Sequence, residues 1–230
     1  MGDIAEKIYS IAVDGPSGAG KSSLAKAIAA ELHILYVDTG AIYRTIGCYA
    51  RRKGVETADT EAVIALLPEV EIGMCYDAQG LQHMLLNGED VTDVIRRPEI
   101  SRWASVVSAI PEVRAFLLEM QRDFARKSSV IMDGRDIGTV VLPHADVKIF
   151  LKADVEVRAR RREIELQERG TPRPYKQVLE EMRQRDYNDT HRSAAPLRAA
   201  EDAVIVDTSD LDFQQSKEKL LEIIREKVGL

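Results

Sequence analysis

The amino-acid sequence predicts an α/β fold in which helices cover both faces of a parallel β-sheet. Two observations predict this fold. Short apolar segments that favour strands alternate with longer segments that favour helices, and the first strand leads through a glycine-rich loop directly into a helix. A third observation adds a smaller unit. Between residues 65 and 105 the alternation gives way to a hairpin pattern, which predicts an antiparallel insert.

The chain begins with a predicted strand, a glycine-rich loop and a helix. Residues 8–13 are apolar and β-prone, and residues 22–32 are rich in alanine, leucine and lysine, which favour a helix. The segment between them, Gly15-Pro16-Ser17-Gly18-Ala19-Gly20-Lys21-Ser22, fits the phosphate-loop pattern G-x-x-x-x-G-K-[ST]. The alternative is an ordinary glycine-rich turn, but the strand and helix around the segment are the setting that the motif requires.

The chemistry of such a loop is the binding of phosphate. Its glycines let backbone N–H groups point inward, and the helix N-terminus adds partial positive charge. We expect Lys21, exposed on the loop, to reach the β- and γ-phosphates of ATP, and the Ser22 hydroxyl to bind the accompanying Mg²⁺. The predicted ATP-binding residues are Gly15, Pro16, Ser17, Gly18, Ala19, Gly20, Lys21, Ser22 and Ser23. The expected architecture is therefore the three-layer fold of phosphate-loop (P-loop) NTPases.

The later elements continue the alternation. The pattern predicts strands at residues 34–37, 129–132, 147–151 and 204–206, and helices at 41–53, 111–127, 155–169, 175–192 and 214–227. In the insert, apolar residues alternate from Val70 to Tyr76, and turn sequences follow at 77–80 and 87–88. We therefore predict a P-loop core of residues 1–64 and 106–230 and an antiparallel insert of residues 65–105.

Two polar clusters each follow a predicted strand, where ligands bind in open α/β sheets. In Asp38-Thr39-Gly40-Ala41-Ile42-Tyr43-Arg44, the guanidinium of Arg44 can hold a phosphate. The alternative there is a plain helix start, capped by Asp38 or Thr39. In Asp133-Gly134-Arg135-Asp136, a carboxylate at the strand end favours a position near the metal. The alternative there is a β-turn.

A third cluster consists of arginines in the last third of the chain. Arg158, Arg161 and Arg162 share one face of a predicted helix, and Arg185, Asp189 and Arg192 share a face of the next. A loop rich in glycine, proline and charge joins the two helices at residues 168–174. The pattern predicts a movable lid at residues 155–192 that closes over a polyphosphate. The alternative is a solvated face with ion pairs between neighbouring turns.

Composition excludes several other classes. A net charge of −6 argues against a nucleic-acid polymer as partner, and no apolar run reaches the roughly 18 residues of a membrane span. Cys48 and Cys75 lie in no motif, and we expect both thiols to be buried, as is common in a reducing cytoplasm. The four histidines lack the spacing of metal ligands.

Together and in this order, the clusters resemble those of the bacterial cytidylate kinases. The matching segments are Asp14–Lys21, Asp38–Arg44, Asp133–Val140 and the stretch from Arg185-Asp186 through Asp189 to Arg192, joined by Gly88-Glu89-Asp90-Val91 in the insert. The resemblance spans residues 8 to about 207. It implies a nucleoside-monophosphate kinase fold with a core, an acceptor-binding region and a lid.

The resemblance also implies roles for single residues. Arg44, Arg135 and Arg185 would bind the CMP phosphate, Thr39, Asp189 and Arg192 would surround its sugar and phosphate, and Ser105, Arg114 and Asp136 would face the cytosine. The catalytic set would be Lys21, Arg135, Arg158, Arg162 and Arg185, with Ser22 on Mg²⁺ and Asp38 or Asp133 nearby. Thr39 stands where other members have Ser, and its methyl group would alter the tolerance for deoxyribose.

The expected activity is phosphoryl transfer from MgATP to CMP and dCMP, by a cytoplasmic monomer without a membrane partner. One alternative is a P-loop kinase for another nucleoside monophosphate or a small metabolite. Another is a nucleotide switch that binds without turnover. The N-K-x-D segment of guanine switches is absent from the sequence, and the D-x-x-G match at residues 77–80 falls on a predicted turn.

Overall fold

The computed structural model describes residues 8–230, apart from the side chains at positions 98, 101 and 102. The strands are β1 Ser10–Asp14, β2 Leu35–Asp38, β3 Ile72–Tyr76, β4 Gln82–Leu86, β5 Glu89–Asp90, β6 Val130–Gly134, β7 Val147–Lys152 and β8 Val204–Asp207. The helices are α1 Lys21–Leu32, α2 Thr39–Arg52, α3 Thr60–Leu66, α4 Pro98–Val107, α5 Pro111–Lys127, α6 Val155–Glu168, α7 Tyr175–His191 and α8 Phe213–Val228.

The central sheet is parallel, in the order β2-β6-β1-β7-β8. Its inner strands are continuous apolar runs because helices cover both faces, and β6 is buried along its whole length. One face packs on α1 and α8 through residues such as Ile28 and Leu220, and the other packs on α2 and α5 through residues such as Ile42 and Leu117. The fold is the predicted three-layer P-loop fold.

The register of the sheet brings polar residues to one edge. Asp38 at the end of β2 lies beside Asp133 of β6, and Asp14 of β1 lies beside Gly134. The phosphate loop leaves β1 at the same edge and enters α1. The two polar clusters and the loop that the sequence placed at strand ends therefore meet in one region.

The insert is a second, antiparallel sheet in the order β3-β4-β5. Its first turn is closed by a hydrogen bond from Gly80 N to Asp77 O of 2.9 Å, and its second uses Asn87 and Gly88 with positive φ. The match to D-x-x-G at residues 77–80 is thus a hairpin turn. Met84 and Leu86 of this sheet join the same apolar cluster as Ile42 of α2, so the insert packs directly on the face of the core that carries α2.

Among residues 8–230, several elements were not predicted. They include α3, α4 and a π-helical turn, Ile137–Val141, that directly follows Asp136. The expectation of two buried cysteines is also wrong in part, because Cys48 is buried but Cys75 is exposed on β3. In the part of the chain from residue 8 onward, no helix is both long enough and apolar enough to cross a membrane.

The predicted lid segment forms an antiparallel pair of helices, α6 and α7, close to the predicted limits. The pair has its own small apolar cluster, built on Ala159, Leu166, Val178 and Met182. It lies against the phosphate loop at Gly18, whose φ is +76° and whose missing Cβ leaves room for the Met182 methyl group. A larger side chain at residue 18 would push the helix pair away from the phosphate loop.

Candidate active site

The phosphate loop has the backbone that its sequence predicts. Gly15, Gly18 and Gly20 all have positive φ, and at Gly15 the carbonyl of Leu151 occupies the place that a Cβ would need. Ser22 and Ser23 follow in the first turn of α1. All predicted ATP-binding residues therefore lie in the loop or in that first turn.

Lys21 is not the exposed side chain that we expected. It is 5% exposed, and its Nζ donates to the carbonyl oxygen of Pro16 at 2.7 Å. Burial, and next the nearby charge of Arg135, lower the pKa of Lys21 to about 7. The loop therefore shields the Lys21 ammonium from water. A bound phosphate would supply the favourable interaction that the ammonium has lost.

Asp133 is fixed beside Ser22. The Ser22 hydroxyl donates to one carboxylate oxygen at 2.8 Å, and the Tyr36 hydroxyl donates to the other at 2.9 Å. Burial, and then the charge of Asp38, raise the pKa of Asp133 to about 6. Of the two acids that the sequence offered for the metal, Asp133 is the one in contact with Ser22. Tyr36 was missed, because its sequence position indicated only a strand.

Asp38 organises the start of α2. One carboxylate oxygen accepts from Ala41 N at 2.9 Å, and the other accepts from Arg44 Nη2 at 2.7 Å. Asp38 is therefore the helix cap, as the alternative for this cluster expects, and it also holds Arg44. Phosphate binding by Arg44 stays a prediction. The Thr39 hydroxyl donates its hydrogen to the carbonyl oxygen of Asp133 at 2.7 Å. Because that hydrogen is used, the hydroxyl can bind a ligand only as a hydrogen-bond acceptor.

A cluster of arginines faces this strand-end region. Arg135 Nε donates to Asp189 at 2.7 Å, which ties the β6 end to α7. Arg185 lies next to this pair, and its buried Nε has no hydrogen-bond partner in the described structure. Burial, and then the charge of Arg135, lower the pKa of Arg185 to about 10. Arg44 and Arg162 also repel Arg185, and Arg44 Nε is likewise buried without a partner.

Asp136 forms a second, more buried cluster. It is ion-paired with Arg114 and lies 3.4 Å from Arg192 Nη2. Burial raises the pKa of Asp136 although both guanidiniums oppose the shift. Ser105 lines a cleft of about 450 Å³ together with Asp189 and Arg192. The cleft is lined by Ser105, Val106, Ala109, Tyr187, Asn188, Asp189, His191 and Arg192. Arg192 connects this cleft to the buried cluster because it also contacts Asp136, whereas Arg114 and Asp136 themselves do not line the cleft.

The lid arginines are engaged with protein groups. Arg158 donates to Ala153 O, to Ser17 O at 3.0 Å and to Asp186 at 2.6 Å, which fastens α6 to the phosphate loop and to α7. Arg161 donates to the carbonyl of Thr208 at 2.6 Å. Arg162 pairs with Glu165, as the alternative of a solvated, ion-paired face expects, yet it also lies near Arg185.

A further buried acid, Asp14, was missed by sequence reasoning. Its two carboxylate oxygens accept from Ile137 N at 2.8 Å and from Gly138 N at 2.7 Å. Burial raises the pKa of Asp14 to about 6. An acid directly before the phosphate loop was the available signal. The contact joins the start of the loop to the π-helical turn that directly follows Asp136.

The arrangement is a cation-rich site built to hold anions. No group of three or more histidine, cysteine, aspartate or glutamate side chains among residues 8–230 is placed to hold a metal ion. The hydroxyl and carboxylate of Ser22 and Asp133 are hard oxygen donors of the type that Mg²⁺ prefers, and Mg²⁺ commonly takes its other ligands from phosphate and water. The donor set therefore fits a metal that arrives with a polyphosphate.

Comparisons with known proteins identify what the chain is similar to. The family model for cytidylate kinase matches residues 11–226. A cytidylate kinase of Caldicellulosiruptor saccharolyticus is 46% identical over 223 residues, covering 97% of this chain and 98% of the relative. A cytidylate kinase of Carboxydothermus hydrogenoformans is 46% identical over 217 residues, covering 94% of this chain and 97% of the relative. A crystal structure of an uncharacterized protein from Eubacterium ventriosum superposes with a TM-score of 0.51 at 15% identity, covering 96% of this chain and 99% of that one, which indicates a shared fold.

Proposed function

This chain belongs to the cytidylate kinase family, and from that premise we propose that it transfers the γ-phosphoryl group of MgATP to CMP, giving ADP and CDP. It is a phosphotransferase whose acceptor is a phosphate group. We also propose dCMP as an acceptor, and a monomer working in the cytoplasm on these small molecules.

One observation supports the proposal most: the site contains cations that the protein itself does not neutralise. Lys21 and Arg185 both have lowered pKa values, and the buried Nε atoms of Arg185 and Arg44 lack partners in the described structure. Unpaired buried charge and unpaired donors are both costly. The phosphates of two bound nucleotides would remove both costs at once, which is the complementarity expected of a kinase for nucleoside monophosphates.

We assign the donor subsite from the phosphate-loop motif and the acceptor subsite from the family resemblance, and the grouping of these residues in the structure supports both assignments. ATP would lie with its phosphates in the loop from Gly15 to Ser22, against Lys21. CMP would lie with its phosphate on Arg44, Arg135 and Arg185. Its sugar would lie near Thr39, Asp189 and Arg192, and its base near Ser105, Arg114 and Asp136. We assign the bound Mg²⁺ to Ser22 with Asp133 beside it, where it would neutralise charge on the phosphates of ATP.

The reaction needs positioning more than proton transfer. A nucleoside monophosphate has its second pKa near 6, so at pH 7 its phosphate is mostly dianionic and already a nucleophile. Lys21 and the arginines of the site hold the two phosphates in line and stabilise the charge of the transferring group. The α6–α7 pair excludes water from this region, which limits hydrolysis of ATP.

The test is ADP release from ATP in the presence of CMP, dCMP, UMP, AMP or GMP. We expect rapid turnover with CMP, slower turnover with UMP and very little with the purines. Turnover with another acceptor in preference to CMP would favour a different P-loop kinase. Tight nucleotide binding without acceptor-dependent turnover would favour the nucleotide switch.

A further inference from the structure

The antiparallel insert contacts the edge of the parallel sheet through two side chains. β2 is an edge strand, so backbone groups on its outer side have no neighbouring strand to pair with. The Tyr76 hydroxyl donates to the carbonyl oxygen of Tyr36 at 2.8 Å. Gln82 Oε1 accepts from Asp38 N at 2.7 Å, and Gln82 Nε2 lies 3.4 Å from Asp38 O. Tyr76 and Gln82 are directly opposite each other in the β3–β4 ladder, so one cross-strand pair replaces the missing neighbour of β2.

The contact at Gln82 depends on its amide. A carboxamide presents an acceptor and a donor side by side, and these match the N–H and C=O of a single backbone residue. Gln82 is 8% exposed, so water does not readily replace it. Its Nε2 also lies 3.1 Å from Met84 Sδ. An apolar side chain of the same length would fill the space but would leave the outer backbone groups of Asp38 unpaired.

The residues held in this way are the ones that organise the acceptor side of the site. The Asp38 carboxylate caps α2 and pairs with Arg44, whose guanidinium faces the arginine cluster. A Cβ at Gly40 would lie 3.0 Å from Asp38 Oδ1, so a larger residue there would press on this carboxylate. The side chain of Tyr36, the other clamped residue, donates to Asp133. A shift of the β2 backbone would therefore move the start of α2 and, with it, Arg44.

We propose that Gln82 is a positioning residue for the phosphate acceptor: by clamping the backbone of Asp38 from the insert, it holds Arg44 where the acceptor phosphate binds. Gln82 itself does not touch substrate. The proposal rests on the proposed function, since it takes CMP as the acceptor. It gives the insert a defined mechanical link to the acceptor subsite through Asp38.

The first test is Gln82→Met, which keeps length and volume and removes both backbone contacts. We expect the KM for CMP to rise about tenfold or more, while the KM for ATP stays within twofold and kcat within threefold. The matched control is Gln79→Met, in the exposed turn of the same hairpin, which should leave both KM values unchanged. Equal changes in the two KM values, in step with a lower Tm, would show that Gln82 only stabilises the fold and would overturn the proposal.

A second variant, Gln82→Glu, keeps the length of the side chain and removes its donor. Its ionised carboxylate would still accept from Asp38 N but would repel Asp38 O. We expect the KM of this variant for CMP to rise severalfold at pH 8, while the KM for ATP stays within twofold. An unchanged KM for CMP at pH 8 would contradict the clamp.

A third measurement does not depend on activity. In the ligand-free protein, the amide hydrogen of Asp38 should exchange at least tenfold faster in Gln82→Met than in the parent, with the amide of Met132 in β6 as an internal reference. Unchanged exchange at Asp38 would overturn the clamp. If the parent protein failed to phosphorylate CMP, the proposed function would fall, and the exchange result would still decide whether Gln82 holds Asp38.

Discussion

At the scale of single residues, the site is defined by charges that lack full compensation. Lys21 is buried beside Arg135 and within range of Arg185, and the nearby acids Asp14 and Asp133 offset this only in part. The pKa values of both acids are raised to about 6. These are the perturbations expected where a ligand supplies the missing charge.

Replacement of Lys21 by alanine tests the phosphate loop. We expect kcat to fall by at least ~100-fold, because a positioned cation on the transferring phosphate contributes several kcal/mol. We expect Tm without ligand to change by no more than ~3 °C, because the variant also relieves repulsion from Arg135. Steady-state kinetics and calorimetry measure the two effects. A kcat within tenfold of the parent would show that the assignment of the loop is wrong.

Proton uptake tests the lowered pKa of Lys21. Folding lowers the pKa of Lys21 from 10.5 to about 7. Between pH 7 and pH 10.5 this group therefore binds fewer protons in the folded state than in the unfolded state. The free-energy cost of burying it falls as pH rises through this range. Bound MgATP restores the ammonium. We therefore expect ATP binding to take up close to one proton at pH 8 and much less at pH 6, as measured by calorimetry in buffers of different ionisation enthalpy.

The control for this measurement is Lys21→Arg, whose guanidinium stays protonated throughout the range. It should bind ATP without the pH-dependent uptake. Uptake that is the same in the variant and the parent would mean that the titrating group is not Lys21.

Substitution of Asp136 tests the choice of base. A carboxylate accepts from the 4-amino group of cytosine, whereas uracil presents a carbonyl oxygen at that position. Asp136→Ala would also leave Arg114 buried without its partner. Asp136→Asn is therefore the cleaner variant, since it keeps the shape and can donate to uracil. We expect the CMP/UMP ratio of kcat/KM to narrow by roughly tenfold or more. An unchanged ratio with both activities lowered equally would place Asp136 at the phosphate instead.

At the scale of elements, the α6–α7 pair is the part best suited to move. Its own apolar cluster has four buried members, Ala159, Leu166, Val178 and Met182, and its attachment to the phosphate loop includes the contact of Arg158 with Ser17 and that of Met182 with Gly18. Few buried apolar contacts imply a low cost of local opening. We propose that this pair opens away from the phosphate loop, which requires release of two further contacts with the core, Arg135 with Asp189 and Arg161 with Thr208.

Hydrogen exchange measures this motion. We expect exchange across residues 158–173 to slow when a bisubstrate analogue that joins the two nucleotides is added, because its phosphates remove the repulsion among the arginines. The exchange rate of helix α8, on the far side of the sheet from the insert, should not change. Exchange that is unchanged in 158–173, or that slows equally in α8, would argue against a lid.

At the scale of the whole molecule, most of the fold could be predicted from the sequence, because periodicity and the phosphate-loop motif are local signals. The contacts that assemble the site could not. Tyr36 meets Asp133 across 97 residues, Asp14 meets Ile137 across 123, and Gln82 meets Asp38 across 44. Such partners depend on the register of the sheet and on where the insert docks, neither of which a single segment specifies.

The reaction proposed for this site passes the γ-phosphoryl group of ATP to CMP and not to water. The most direct measurement incubates the protein with Mg²⁺, CMP and ATP labelled at the γ-phosphate and follows the label by chromatography. We expect label in CDP in proportion to the ADP formed, with little labelled inorganic phosphate, and loss of labelled CDP in Lys21→Ala. Label that appears mainly as inorganic phosphate, or in a different nucleoside diphosphate when UMP, AMP and GMP compete with CMP, would contradict the proposed reaction.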